Sequence, residues 1–210
     1  RTDGIDVESS SNVLIEYCSL DCQDDCYTMK SGRGGDGLRV GIPTENVVVR
    51  RCLALRGAGG IVCGTELAAG VRNVYCCDCV FDGTDQAFRV KTLRARGGGV
   101  ENLVVERVRA GVKHYAFYCD MLGSIKWGGD LARRYPDGKN APAVNRFTPD
   151  FNTIRIDNVV IDSCQQLVKA VGLPERPLQG VLLSRVKATC QQLITMRDVH
   201  TFVIKDATIT

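Results

Sequence analysis

Charged side chains recur in this sequence in combinations that could perform acid–base chemistry. A single aspartate, Asp3, is followed by the adjacent pair Asp24 and Asp25, and Arg89 and Lys91 stand two positions apart further along the chain. In such a group, one carboxylic acid can protonate a leaving oxygen while another carboxylate activates water, as glycoside hydrolysis with inversion requires. The neighbouring cations could hold the carboxylate of an anionic sugar, the arginine in bidentate fashion.

Spacing alone leaves a plainer interpretation equally open. Asp24 and Asp25 could form a solvated turn, and Arg89 and Lys91 could belong to the charged face of a strand. The two interpretations differ in whether the fold brings these residues together. The elements that carry them therefore decide what chemistry they can do.

Seven short runs rich in β-branched residues organise the chain. They begin at Val13, Val47, Val74, Leu103, Ile154, Val181 and Phe202. Counted from the first residue of each run, the positions two, five and seven residues later are apolar or small in every copy. An alternation that skips one step is expected of a strand, a corner and a second strand. The sequence therefore predicts an all-β fold, a parallel β-helix of about seven stacked coils. A β-sandwich is the alternative, but its strands would not keep the same inward positions in every copy.

The residue before each run predicts a sharp bend. It is asparagine in the first four copies and then threonine, glycine and threonine: Asn12, Asn46, Asn73, Asn102, Thr153, Gly180 and Thr201. Asparagine and glycine tolerate the left-handed conformation that a bend requires. Stacked asparagine side chains can also bond to one another.

One gap between runs is longer than the rest. Between Leu103 and Ile154 the chain carries an insertion at about residues 121–150, rich in glycine, proline and arginine. We expect this insertion to be a long surface loop on a single domain that spans residues 1–210. Because the chain begins at Arg1 in the middle of a motif, we also expect it to be the C-terminal part of a longer protein.

Stacking would place residues of successive coils about 4.8 Å apart. Aligning the coils puts Asp3 beside Asp25, and it puts Asp24 in the same column as Ala58 and Asp85. The alignment thus predicts that polar groups converge on one face: Asp3, Asp24, Asp25, Asp85, Arg89 and Lys91. His114 shares the column of Ala58 but lies two coils away, roughly 10 Å.

Composition excludes several classes of function. The 27 basic and 24 acidic side chains give a net charge of +3, too balanced to indicate binding to nucleic acid. No apolar run reaches the roughly 18 residues of a membrane span. The 11 cysteines form neither a paired framework nor a clean metal site, since only His114 and His200 could supply nitrogen ligands. We expect the cysteines to be reduced and buried as small apolar side chains.

The sequence resembles the polygalacturonase-type pectinases, which form glycoside hydrolase family 28. The resemblance covers essentially the whole chain and rests on short sequence blocks that occur in the same order as in the family. These are Thr2-Asp3-Gly4-Ile5-Asp6, Gln23-Asp24-Asp25-Cys26, Met29-Lys30-Ser31-Gly32, Gly57-Ala58-Gly59-Gly60 and Arg89-Val90-Lys91. Each block alone would be weak, but together they are a strong signal.

The resemblance implies a right-handed parallel β-helix whose first coils precede Arg1. It also implies inverting hydrolysis of pectic polysaccharide without a metal or other cofactor. In that scheme Asp24 is the general acid and Asp3 with Asp25 activates water, while Arg89 and Lys91 bind the carboxylate of an anionic polysaccharide such as polygalacturonate. Neither nucleic acid nor a membrane is an expected partner, and a polymeric substrate implies a secreted or periplasmic protein.

Two positions depart from the family pattern. Arg1 stands where the family has an asparagine before Thr2-Asp3, and Ala58 replaces the histidine of the Gly57-Ala58-Gly59-Gly60 block. That histidine is thought to support the protonation state of the catalytic carboxylates, and an alanine methyl group can neither donate nor accept a hydrogen bond. Three readings follow: a slower hydrolase, one adapted to another pectic linkage, or an inactive relative that binds glycans. A calcium-dependent pectate lyase is a further alternative, with Asp3, Asp24, Asp25 and Asp85 as cation ligands.

Overall fold

The computed structural model describes residues 1–123 and 141–210, and these residues form fifteen strands and one short helix. The first strands are β1 (Ile5–Glu8), β2 (Ser11–Glu16), β3 (Ser19–Asp21) and β4 (Asp25–Lys30), followed by the helix α1 (Gly34–Val40). Next come β5 (Thr44–Arg50), β6 (Leu53–Cys63), β7 (Val71–Cys77), β8 (Val80–Asp82), β9 (Thr84–Lys91) and β10 (Gly99–Glu106). The last are β11 (Arg109–Gly111), β12 (Tyr115–Asp120), β13 (Asp150–Val171), β14 (Val181–Arg197) and β15 (Phe202–Ile209).

Parallel pairing stacks these strands in the order that the repeat predicts. One column runs through β2, β5, β7, β10, β13, β14 and β15. In this column the first residues of all seven runs pair in turn: Val13, Val47, Val74, Leu103, Ile154, Val181 and Phe202. Consecutive copies along the chain are thus neighbours in space. The prediction of an all-β fold built from stacked parallel coils is confirmed.

A second column carries the residues with chemical potential. It runs through β1, β4, β6, β9 and β12 and continues into β13 and β14, again entirely in parallel. A third column of short strands, β3, β8 and β11, is completed by parts of β6, β13, β14 and β15. The long strands β13 and β14 each run through all three columns, and β6 runs through two, because these strands pass corners without a break.

The predicted inward positions form the core. Val49, Cys79 and Phe81, for example, stand two, five and seven residues after the start of their runs, and all three are buried. In β15 the equivalent residues are half-buried or exposed. This follows from its pairing, since β15 pairs only with β14 among the described strands.

The cysteines behave as small apolar side chains. All eleven are free, and nine of them are buried. Burial raises the pKa of the Cys63 thiol to about 12, so this group stays protonated and unreactive at neutral pH. The predicted role of the cysteines in the core is confirmed.

The predicted asparagine ladder is present at one set of corners. Asn12, Asn46, Asn73 and Asn102 all have φ between 55° and 59°. The Nδ2 group of each later asparagine donates to Oδ1 of the one before it, at 3.3, 3.1 and 2.9 Å. The ladder therefore fixes the same backbone bend in four successive coils.

A second set of corners was not predicted by residue type. Four residues after the start of each run the backbone is again left-handed, and four of these seven residues are large: Tyr17, Arg51, Asp78, Arg107, Asn158, Arg185 and Asp206. Contacts between coils offset this strain. Nη1 of Arg51 donates to Oη of Tyr17, and Nε of Arg107 donates to Oδ1 of Asp78 at 2.7 Å.

The structure describes residues 121–123 and 141–150 of the segment predicted to be an insertion, residues 121–150. Its residues 124–140 lie outside the described residues, and β13 begins at its last residue, Asp150. In the part of the chain that the structure describes, no helix has the length and apolar character needed to cross a membrane.

The ladder supports a stability prediction. Replacing Asn73 with alanine removes two side-chain hydrogen bonds. It also leaves, at a positive φ, a residue whose side chain has no polar group. We expect the free energy of unfolding to fall by about 2 kcal/mol. The variant Asn73→Gly loses the same bonds but tolerates the backbone conformation, so we expect about half that loss. Urea unfolding followed by circular dichroism measures both, and equal losses would mean that the left-handed backbone contributes nothing.

Candidate functional site

The second column brings the three predicted aspartates together. The backbone N–H of Gly4 donates to the carbonyl of Asp25 at 2.8 Å, which seats Asp3 beside the first residue of β4. The carboxylates of Asp3, Asp24 and Asp25 each contribute an oxygen to a group whose members lie within 4.8 Å of one another. The structure places Asp3 one coil before Asp25, as the alignment of the coils predicts.

Asp25 is the buried member of this group. Its side chain is only 3% exposed and accepts two charged hydrogen bonds, from Nη1 of Arg89 to Oδ1 at 2.8 Å and from Nζ of Lys91 to Oδ2 at 2.7 Å. Both cations come from β9, two strands away in the column. The two cations compensate the charge of this buried carboxylate, one at each of its oxygens.

A glycine in the intervening strand makes this contact possible. Gly59 of β6 pairs with Asp25 on one side and with Gln86 on the other. A Cβ at this position would lie 3.3 Å from Cδ of Arg89 and 2.5 Å from a methyl group of Val62. The missing side chain therefore leaves the path along which Arg89 reaches across β6 to Asp25.

Asp3 has a cationic partner of its own. Nζ of Lys30 donates to Oδ2 of Asp3 at 2.7 Å and to Oδ2 of Asp6 at 2.9 Å, and the backbone N–H of Asp25 donates to Oδ1 of Asp3 at 3.2 Å. Burial raises the pKa of Asp3, but these contacts outweigh it and lower the pKa overall. Asp6 shares the same lysine, yet its pKa is raised by burial and by the charge of Asp3.

Lys30 is a site residue that the sequence analysis missed. Two signals could have found it: Lys30 lies in one of the blocks that resemble the family, and it occupies the column of Gly64 and Lys91. The direction of its side chain could not be predicted from the sequence. The side chain points back to the preceding coil, where it contacts Asp3 and Asp6.

Asp24 differs from both of its neighbours. Its half-buried side chain makes no hydrogen bond or ion pair with any described residue, while its carbonyl accepts a bond from the backbone N–H of Ala58 at 2.7 Å. Its carboxyl group faces a cavity of about 610 Å³, whereas Asp3 and Asp25 are not among the residues that line it. Of the three aspartates, Asp24 is therefore the one that lines the cavity.

The cavity is rich in charge of both signs. Arg89 and Lys91 line it and remain 20% and 18% exposed, so both can face a ligand while they hold Asp25. Three more arginines line it, Arg1, Arg33 and Arg96. The acidic side chains at its wall are Asp24, Glu66, Asp85 and Asp120. Such a surface suits a ligand that is both anionic and rich in hydroxyl groups.

The two predicted departures lie in this same cavity. Ala58 lines it beside Asp24, and so does Arg1. His114 lies one strand beyond Asp85, where its backbone N–H bonds to the carbonyl of Asp85, and its exposed ring lies 3.4 Å from Oε1 of Gln165. Neither His114 nor His200 lines the cavity. No imidazole from the described residues takes the place that Ala58 leaves open.

The three aspartates also have the spacing of a cation site, but their surroundings favour another use. Oxygen atoms within 4.8 Å of one another can share a hard cation. Here Lys30 already neutralises Asp3, and Arg89 with Lys91 already neutralises Asp25. The arrangement is one carboxyl group without a partner next to two carboxylates with cationic partners, which suits proton transfer.

Comparison with known proteins gives consistent relatives. The family model of glycosyl hydrolases family 28 matches residues 1–121. A probable polygalacturonase from Vitis vinifera is 28% identical over 187 residues, covering 89% of this chain and 36% of that protein. A polygalacturonase from Ralstonia solanacearum is 27% identical over 183 residues, covering 77% of this chain and 33% of that protein.

A solved structure with the same fold is available. An exopolygalacturonase from Thermotoga maritima superposes with a TM-score of 0.78 at 28% sequence identity, and the match covers 95% of this chain and 44% of the chain of that structure. The chain thus spans about a third of the length of the two curated relatives and less than half of this structure.

Proposed function

Because the chain belongs to glycosyl hydrolases family 28, we propose that the protein hydrolyses glycosidic bonds in an anionic pectic polysaccharide such as polygalacturonate. One observation carries the proposal. Asp24 presents an unpaired carboxyl group to the cavity, next to two aspartates whose charges are held by Lys30, Arg89 and Lys91. The relatives named polygalacturonase or exopolygalacturonase support the choice of substrate.

In the proposed reaction Asp24 is the general acid. Its proton passes to the glycosidic oxygen as the bond from that oxygen to the anomeric carbon breaks. Asp3 and Asp25 orient a water molecule, which attacks the anomeric carbon and gives up a proton to this carboxylate pair. The lowered pKa of Asp3 serves this role because it keeps a proton acceptor ionised in mildly acidic solution. No metal and no other cofactor takes part in the scheme.

We propose inversion at the anomeric carbon. Because the carboxylate oxygens lie close together, the anomeric form of the product needs to be measured directly. The closest carboxylate oxygens lie within 4.8 Å, whereas the carboxyl groups of inverting enzymes are usually about 6.5–9.5 Å apart. The water would therefore lie beside the carboxylate pair rather than between two distant groups. Proton NMR of the first products reports their anomeric form. A product that retains the anomeric configuration would overturn this part of the proposal.

Arg89 and Lys91 are proposed to bind the carboxylate of the substrate as well as that of Asp25. Each has more than one donor, and both are partly exposed at the cavity wall. Arg33 and Arg1 line the same cavity and pair with no described side chain, so they add positive charge opposite an anionic sugar. These four side chains favour a uronate chain over a neutral polysaccharide.

The deciding experiment follows reducing ends released from polygalacturonate by the full chain. We expect release without an unsaturated product that absorbs ultraviolet light, and we expect it to continue after calcium is chelated. A calcium-dependent lyase would give the opposite result on both counts, because its product is unsaturated and its acidic residues hold the cation. Loss of activity on chelation would end the hydrolase proposal.

The second candidate function is a glycan-binding protein without catalysis, and Ala58 is the observation that favours it. We expect Ala58→His to raise kcat by about ten- to hundredfold, because an imidazole at the cavity wall beside Asp24 can exchange hydrogen bonds that a methyl group cannot. Reducing-end assays measure the change. Ala58→Leu, which adds bulk without a polar group, serves as the matched control and is not expected to gain activity.

The outcomes of this experiment separate the two functions. Release of reducing ends by the natural chain supports the hydrolase. No release by the natural chain together with release by Ala58→His would identify a binding protein that has lost its catalysis. An equal gain in Ala58→Leu would show that packing at position 58, and not the imidazole, limits the rate.

Finer features of the fold and setting belong to the same proposal. We propose a right-handed β-helix of about seven coils, because connections between parallel strands of one sheet are right-handed in roughly 98% of cases. We also propose that residues 1–210 form one domain. We also propose that the protein lies in the periplasm or outside the cell, because a polymeric substrate cannot enter a cell.

A further inference from the structure

Two tyrosines continue the charged face beyond the cavity. Tyr115 and Tyr118 of β12 stack on each other, with ring centroids 5.3 Å apart and ring planes inclined by 29°. Tyr118 pairs in register with Arg89 on one side and with Lys169 on the other, so all three lie in one column of the sheet. Tyr118 lines the cavity, while Tyr115 and Lys169 lie beyond it. We call Tyr115, Tyr118 and Lys169 the tyrosine platform.

The platform lies between two cations. Cζ of Arg89 stands 5.8 Å from the ring centroid of Tyr118, and Nζ of Lys169 stands 5.3 Å from that of Tyr115 and 5.9 Å from that of Tyr118. Lys169 forms no ion pair with a carboxylate of the described chain, unlike Lys30 and Lys91 in the site. Its ammonium group is therefore available to an anion that approaches along the face.

Packing alone does not explain these tyrosines. The buried Tyr27 shows what a core tyrosine does in this protein, since its hydroxyl donates to two backbone carbonyls at 2.9 and 2.8 Å. Tyr115 and Tyr118 are instead half-buried, and only Tyr118 has a polar partner in the described chain, Oδ2 of Asp120 at 3.0 Å. Two stacked rings with exposed surface beside a free ammonium group match the needs of a sugar acid, which has an apolar ring face and a carboxylate.

We propose that the tyrosine platform is a further subsite for the polysaccharide, which binds a uronate unit beyond those held in the cavity. The proposal rests on the proposed function, because the occupant is the continuation of the same chain. The sugar ring lies against Tyr115 and Tyr118, and its carboxylate pairs with Lys169. Lys169 is two strands from Arg89, about 10 Å, so the two cations bind carboxylates of different sugar units.

The test measures binding of oligogalacturonates of increasing length to the full chain. Calorimetry is done in an Asp24→Asn background so that the ligand is not consumed. We expect Lys169→Met to raise Kd for long oligomers by roughly five- to twentyfold and Kd for the dimer by less than twofold. Lys187→Met is the matched control, since Lys187 is an exposed lysine of β14 in another column, and its Kd is expected to match that of the background.

Methyl-esterified oligomers separate the two parts of the platform. Esterification removes the charge that Lys169 recognises, so the effect of Lys169→Met is expected to disappear with these ligands. Stacking does not depend on that charge, so Tyr115→Leu is expected to weaken binding of long free and long esterified oligomers alike. Thermal unfolding midpoints confirm that the variants are folded.

Each outcome decides the proposal. Unchanged Kd values in both variants, or equal losses for the dimer and the long oligomers, would overturn the subsite. If the dependence on length holds but the natural chain releases no reducing ends, the subsite stands and the hydrolase proposal fails. If the folded background protein binds no oligomer of any length, both are wrong.

Discussion

Replacing Asp24 with asparagine is expected to lower kcat on polygalacturonate by about 10²–10⁴-fold and to change the free energy of unfolding by less than about 0.5 kcal/mol. The reason is that this carboxyl group faces the cavity without a polar partner among the described side chains. Asparagine has nearly the same shape but carries no transferable proton. Reducing-end assays give kcat, and urea unfolding gives the stability.

An exposed aspartate outside the cavity provides the control. Asp82 of β8 is exposed and makes no ion pair with the described residues, so Asp82→Asn is expected to alter neither quantity. If Asp24→Asn retained more than a tenth of the natural activity, Asp24 would not be the general acid. A large loss of stability would show instead that its carboxyl group holds the fold.

The same substitution at the next residue is expected to act differently. Asp25→Asn should lower the free energy of unfolding by about 3 kcal/mol and also lower kcat by at least about 10²-fold. It removes the only negative charge that Arg89 and Lys91 contact among the described residues, and both cations are largely buried. Asparagine would also turn an N–H group toward one of them.

A second substitution tests whether repulsion between the two cations causes the loss. Lys91→Met in the Asp25→Asn background removes one of them, so part of the stability is expected to return while activity stays low. Urea unfolding of the single and double variants measures the difference. If Asp25→Asn were as stable as the natural chain, the ion pairs to Asp25 would contribute nothing, and the contrast with Asp24 would fail.

Much of the fold could be predicted because apolar residues recur at the same spacing in every copy of the repeat. The seven run starts pair in the structure as aligned, and the alignment of the opening segment with the segment that begins at Asp25 places Asp3 beside Asp25. The asparagine ladder was predictable for a similar reason, since asparagine both tolerates a left-handed backbone and bonds to its neighbour in the stack.

The parts that could not be predicted depend on side-chain direction. The resemblance assigns Arg89 and Lys91 to the substrate carboxylate, but it does not show that both also hold Asp25, a contact that depends on the empty space at Gly59. Spacing likewise does not show that Lys30 points back to Asp3. The tyrosine and arginines at the second corners were not predicted, because contacts between coils offset the strain of their left-handed backbone and single-residue preferences do not include such contacts.

The path that Gly59 leaves open has a consequence for how the chain finds its register during folding. Coils with such similar inward residues can slip by one whole repeat and still close an apolar interior. A slipped arrangement would bury the charge of Asp25 without its two cations, which come only from the second strand above it. Burying an unpaired charge is costly, so the same contact that prepares the chemistry also rejects misaligned intermediates.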